Sequence, residues 1–173
     1  PGTPGLLTAV GFAPSASSTG ALYSSMELRI GHNNTGALQA PFAGNYMIPE
    51  TVCFQQANFS WVYQASEWAK IPLTVPFIYN GTDNLIVDVI ALGSALNSKS
   101  GFRRSSTIPR NYSTSYSAAV TSGTVSITGQ KTALYFGSAC ALPYGKGCPC
   151  SALSVPSVVA ETAPALASLF RVA

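Results

Sequence analysis

At 173 residues the chain is long enough to bury a real core and reads as one domain, or one domain with an appended piece. Apolar residues make up 47% of it and charged residues only 9%, against about 25% in ordinary soluble proteins, so its surface has to be built from Ser, Thr, Asn and Gly. The net charge of +3 is spread thinly, with only Arg103, Arg104 and Arg110 approaching a cluster. That argues against nucleic-acid binding, and so few charges leave little repulsion against self-association.

The chain opens on PGTPG without a charged or apolar leader, so a signal peptide is expected to be absent or already removed. Residues 6–12 (LLTAVGF) read as a first strand, ended by Pro14 and a Ser-rich stretch. Over residues 22–30 Leu22, Met26, Leu28 and Ile30 are expected on one face, with Tyr23, Ser24, Ser25, Glu27 and Arg29 on the other. This is the pattern of a half-buried antiparallel strand. Glu27 and Arg29 could form an exposed ion pair of no functional weight. Residues 31–36 (GHNNTG) are turn chemistry and place the single histidine, His32, in a solvated turn rather than at a metal or base site, because no Cys, Asp or Glu stands near it. A loop over 39–50 carries Pro41, Asn45 and Pro49. Two β-rich runs follow, 51–57 and 59–64. In a carbohydrate-binding reading Trp61, Tyr63 and Trp68 would form a sugar-stacking platform, although sheet aromatics more often pack in a core.

The central stretch, residues 70–92 (KIPLTVPFIYNGTDNLIVDVIAL), holds two apolar runs around Asn80, Gly81, Thr82 and Asp83. Ile71, Leu73, Val75, Phe77 and Tyr79 share one face by alternation. Pro72 and Pro76 remove two ladder donors, which predicts an edge strand over 70–79. Residues 85–92 are apolar nearly throughout, as in an interior strand covered on both faces. The Asn-Gly pair predicts a hairpin between them with a loop somewhat longer than two residues. Asp88, if buried there, needs a partner such as an arginine or a backbone N–H.

After a polar loop over 93–107, residues 112–120, 124–128 and 132–137 supply three more strands. About nine short strands and no convincing amphipathic helix predict an all-β fold, an antiparallel two-sheet β-sandwich or jelly roll, over residues 1–140. Residues 141–173 form a Cys/Pro/Gly linker and an apolar extension. Leu166, Leu169, Phe170 and Val172 are expected to meet another subunit or a following module, because the segment cannot form a core alone.

Cys53, Cys140, Cys148 and Cys150, with sequons at Asn33, Asn58, Asn80 and Asn111, favour an exported, disulfide-bonded glycoprotein. Four cysteines allow three connectivities; Cys140 with Cys148 or Cys150, and Cys53 with whichever remains, is the favoured set. A zinc site would need all four reduced, against the exported reading, so no metal site is expected. Asn80, Asp83 and Asn84 offer oxygens to calcium, but one carboxylate suits a turn better. No G-x-S-x-G elbow and no evident carboxylate pair is present, and no apolar run spans a membrane. Neither an enzyme nor a cofactor is expected.

Residues 71–87 (IPLTVPFIYNGTDNLIV) resemble the PFxYNGxDNLxV hairpin of secreted β-sandwich domains abundant in planctomycete-type bacteria, and residues 26–32 (MELRIGH) resemble an upstream strand of those domains. Residues 143–173 are similar to the start of the next module in such chains, through Tyr144, Gly145, Gly147, Cys148, Ser151, Pro156 and a strand over 169–173. The resemblance implies an extracellular β-sandwich without catalytic residues. Those domains carry one or two further strands before the PG segment, so the chain reads as a piece of a longer protein, or as a subunit whose missing strands come from a neighbour. The functional expectation is an extracellular structural or adhesive protein that self-associates through sheet edges, with a polysaccharide-binding module as the alternative.

Overall fold

A computed structural model describes residues 3–35, 37–94, 101–113 and 119–137, with the backbone of Leu166–Val172. Among the described residues the chain is all-β apart from one 3-10 turn at Phe42–Asn45. Its strands are β1 (Gly5–Phe12), β2 (Ser18–Asn33), β3 (Thr51–Tyr63), β4 (Ala69–Tyr79), β5 (Asn84–Ser94), β6 (Arg104–Ser105), β7 (Arg110–Ser113), β8 (Thr124–Ser126), β9 (Gly129–Gln130), β10 (Thr132–Phe136) and β11 (Leu166–Val172). A three-stranded sheet has the order β10-β1-β4, a six-stranded sheet the order β3-β2-β5-β11-β7-β8, and β6 pairs with β9. One apolar cluster draws on both larger sheets: Leu7, Val10, Phe12, Ile71, Phe77 and Leu134 from the first, and Met26, Leu28, Ile30, Leu85, Val87 and Val89 from the second.

The two runs of the central stretch divide between these sheets. β4 is the edge strand its prolines predict, and β5 is interior, between β2 and β11. They do not form the expected hairpin: β4 pairs with β1, and β5 with β2 and β11, so residues 80–83 turn a corner from one sheet to the other. Two runs with inward apolar faces can close an arch across a core as readily as a hairpin, and Asn-Gly serves either turn. Between Leu7↔Phe77 and Ala9↔Pro72, residues 73–76 of β4 stand opposite Thr8 alone. This bulge puts Val75 out at 49% exposure, while Ile71, Leu73, Phe77 and Tyr79 remain buried as expected.

β2 departs from its predicted alternation. Leu22 is exposed and Tyr23 buried, whereas Met26, Leu28 and Ile30 are buried with the opposite parity. The reversal falls at Ser24, and the strands on both sides explain it. Asn58, between the pairs Tyr23↔Phe59 and Ser25↔Ala57, has φ 50°, and Gly93, between Tyr23↔Ser94 and Ser25↔Leu92, has φ 51°. A left-handed residue on each neighbour breaks the pleat along one line across the sheet. Only glycine fits at residue 93, because a Cβ there would lie 2.4 Å from Ser24 Oγ, which donates to the Leu92 carbonyl at 2.9 Å. The two runs expected around residue 58 are therefore one bent strand.

β11 lies in its own chain's sheet, parallel to β5 from Leu166↔Leu85 to Val172↔Ala91 and parallel to β7 from Ser168↔Arg110 to Arg171↔Ser113. This corrects the expectation that Leu166, Leu169, Phe170 and Val172 pair with another subunit or module. Two neighbouring strands already take the backbone groups of the segment, which answers the need for a partner sheet within the chain.

Candidate functional site

Two of the four sequon asparagines prove to be internal fasteners. The loop after β2 covers the outer face of the six-stranded sheet with a second small core, Phe42 against Ile86, flanked by Leu38, Tyr46 and Val120. β5 is thus buried on both faces, as its unbroken apolar run predicts. Asn33, buried at the end of β2, donates from Nδ2 to the Asn45 carbonyl at 2.5 Å and accepts from the Thr35 N–H at 2.6 Å. Asn45, also buried, accepts from the Gln39 N–H at 2.8 Å and donates to the carbonyls of Gln39, Pro41 and Phe42. Asn111, fully buried on β7, donates from Nδ2 to the carbonyls of Gln39 and Ala40, both at 2.8 Å. A glycan would have to occupy the Nδ2 that Asn33 and Asn111 commit to these bonds. The expectation of glycans at these two positions is accordingly corrected.

Asp88 lies beneath the same loop, fully buried, and Oδ2 accepts from the Tyr46 hydroxyl at 3.1 Å. The tyrosine hydroxyl is one partner that the sequence reading did not name. Gly31 permits the approach, since a Cβ there would fall 2.4 Å from Tyr46 Cδ1. Nearby on the sheet, Arg29 bonds Glu27 and also Glu50 at 2.6 Å. Arg110 is buried with its guanidinium 4.0 Å from the Tyr112 ring centroid, and desolvation, then the charge of Arg104, holds its pKa below the ordinary value.

At the corner between the sheets, Asn80 Oδ1 accepts from the N–H groups of Thr82 and Asp83, both at 3.0 Å, and Nδ2 donates to Asp83 Oδ2 at 2.5 Å. Asn84 Nδ2 donates to the Thr35 carbonyl at 3.2 Å. Asn80 and Asp83 thus bond each other within the turn, the use of these residues that the sequence reading preferred to calcium. His32 is half-buried at the end of β2 and is not in a solvated turn. Its ring lies 4.9 Å from that of Phe77 and 6.0 Å from that of Tyr79, and Nε2 accepts from the Asn80 N–H at 3.3 Å. Burial lowers its pKa, and Asp83 opposes the shift.

The sugar-platform residues do not share a surface. Trp61 and Tyr63 are buried, packed edge-on to each other at 5.4 Å and beside Phe102 at 5.1 and 5.5 Å, while Trp68 is half-buried next to Gly11 of β1. Cys53 is a free thiol with no exposure, its pKa pushed up to about 11 chiefly by burial, so the expected disulfide at Cys53 is also corrected. Its side chain packs in the shared core. Cys140, Cys148 and Cys150 lie outside the described residues. Among the described residues no three His, Cys, Asp or Glu side chains come together, and no helix is long and apolar enough to cross a membrane.

The feature with most to offer a partner is the edge of the six-stranded sheet. β3 runs for 13 residues, TVCFQQANFSWVY, with neither charge nor proline, and among the described residues it is paired through its length only to β2. Residues 55–58 are exposed on both faces, and Val52 and Val62 are 41% and 62% exposed. β4 packs alongside part of β3, and there Thr74 Oγ1 donates to the Cys53 carbonyl at 3.0 Å. Cys53 is the extra residue of a bulge between Leu28↔Phe54 and Arg29↔Val52, which is why its carbonyl is free for a hydroxyl. Sequence reading missed Asn45, Tyr46 and Thr74, since each acts through a loop or bulge that only tertiary packing defines. No family model, no curated protein and no solved structure matches the chain.

Proposed function

We propose that the chain is an extracellular structural or adhesive protein whose two main sheets form a β-sandwich and whose copies associate through the β3 edge. The observation that carries this is the length of β3 without charge or proline. Long edges without charge or proline are templates for pairing, and proteins that must stay monomeric blunt them. A surface with so few charges adds little electrostatic resistance to such pairing. Export is supported by composition and sequons, of which Asn58 and Asn80 remain exposed. With Trp61 and Tyr63 turned inward, nothing in the geometry favours polysaccharide binding.

Sedimentation velocity across a wide concentration range tests the reading. The full chain is expected to associate, and Gln56→Lys, at an exposed edge position paired with Met26, is expected to abolish association while leaving the circular dichroism spectrum unchanged. A chain that stays monomeric throughout, or association indifferent to Gln56→Lys, would refute it.

A further inference from the structure

We infer that Asn58 is the glycan acceptor of this chain and that an oligosaccharide there caps the β3 edge, regulating the association proposed above, a reading on which the second half of the inference rests. Four asparagines carry the acceptor sequence, and the fold separates them by what their Nδ2 atoms do. Asn33 and Asn111 are buried and donate to backbone carbonyls. Asn80 is exposed, but its Nδ2 is held by Asp83 in the corner turn. Asn58 is exposed and, among the described residues, its side chain makes no hydrogen bond. Ser60, whose hydroxyl completes the sequon, is exposed as well.

The backbone offers this site to an enzyme. Asn58 has φ 50° within a strand, where asparagine is one of the few non-glycine residues that tolerate the left-handed region. The kink lies on the unpaired side of the sheet, with Ala57 exposed before it and Phe59 anchored after it against Phe54 and Trp61, at 5.4 and 6.0 Å. The donor is a lipid-pyrophosphate oligosaccharide. Asn58 Nδ2 forms a bond to the anomeric carbon as the bond from that carbon to the pyrophosphate oxygen breaks; the pyrophosphate leaves with the electron pair, and Nδ2 gives up one proton to the transferase. A bulky, hydrated group at mid-edge then competes with an incoming strand, which must settle about 4.8 Å from β3 to form a ladder.

The experiment is expression of the full chain in a secretory host that carries out N-glycosylation, followed by peptide mass mapping and sedimentation velocity. The comparison is Ser60→Ala, which removes the sequon while keeping the left-handed asparagine; Asn58→Gly, which also suits that conformation, is the second variant. Asn58 is expected to be occupied and Asn33 and Asn111 bare. The glycosylated form should associate roughly tenfold more weakly than either variant. A glycan on Asn33 or Asn111 in folded protein, or a bare Asn58, overturns the acceptor assignment. Equal association of glycosylated and unglycosylated forms overturns the capping role. Variants that never associate refute edge assembly, and capping with it, while the mass map still decides the acceptor.

Discussion

The two sheets end on edge strands of similar length and opposite character. β4 has prolines at 72 and 76, a bulge over 73–76 and a lysine, Lys70, whose ammonium sits 4.4 Å from the Tyr135 ring centroid. Each device discourages an approaching strand: proline removes a donor, a bulge spoils the register and a charge resists burial. β3 has neither proline nor charge, and its bulge is the single residue Cys53. It has instead a bend at Asn58 and a hydroxyl bond from Thr74 to the Cys53 carbonyl. One edge is closed by its own chemistry and the other is left for something else to close.

If that contrast is real, removing the protection of β4 should matter most. The double variant Pro72→Val, Pro76→Val is expected to associate at least roughly tenfold more strongly than the parent, or to precipitate, with the fold retained, as read by light scattering and circular dichroism. Unchanged scattering would show that the prolines do not guard this edge. The bend in β3 ranks next. Asn58→Val forces a β-branched residue into φ 50°, at a cost of about 1–2 kcal/mol, whereas Asn58→Gly should be within a few tenths of a kcal/mol of the parent; urea unfolding separates them. A valine variant as stable as the glycine one would mean that the bend is not imposed on residue 58.

Thr74→Val tests the hydroxyl bond that joins the two edges. Losing a net hydrogen bond should cost about 1 kcal/mol, and the local effect is more telling. The Cys53 thiol is buried, and its pKa of about 11 leaves little thiolate at neutral pH. Native protein should therefore resist alkylation at Cys53 and react on unfolding. Thr74→Val should speed the native reaction by loosening β3 where Cys53 sits. Rapid labelling of the parent would contradict the buried thiol.

What could be read from the sequence follows from how local each determinant is. The apolar runs of β1, β4 and β5, the edge character of β4 and the burial of β5 on both faces came from alternation and from proline, properties of single strands. The partner of each run did not: whether residues 80–83 close a hairpin or a corner depends on which strand meets β4, and β1, more than sixty residues away, decides it. The reversal in β2 was illegible for the same reason, because its cause lies in Asn58 and Gly93 on other strands. The sequons misled most instructively. Asparagine followed two residues later by Ser or Thr marks an acceptor, but the same short amide is among the best residues for satisfying loop carbonyls inside a core. Asn33 and Asn111 are used in that second way, and only their burial distinguishes them from Asn58.

The smallest expected effect concerns the end of β4, where His32 packs on Phe77 and Tyr79 and accepts the Asn80 N–H. Accepting that bond requires a neutral Nε2, so protonation breaks it, and desolvation places the folded pKa below the ordinary 6.5 despite the nearby Asp83. Between the folded pKa and 6.5 the unfolded chain holds a proton that the folded chain does not, so stability rises with pH across that window. It is therefore fully present above 6.5, declines as the pH falls below it, and levels off beneath the folded pKa. The half-buried ring and its solvent screening keep the effect modest. The urea midpoint should drop on going from about pH 7.5 to about pH 5, before most carboxylates titrate, and His32→Gln should remove most of the drop. If the variant kept the full pH dependence, His32 would not be its source, and the corner that joins the defended edge to the core would be indifferent to protonation.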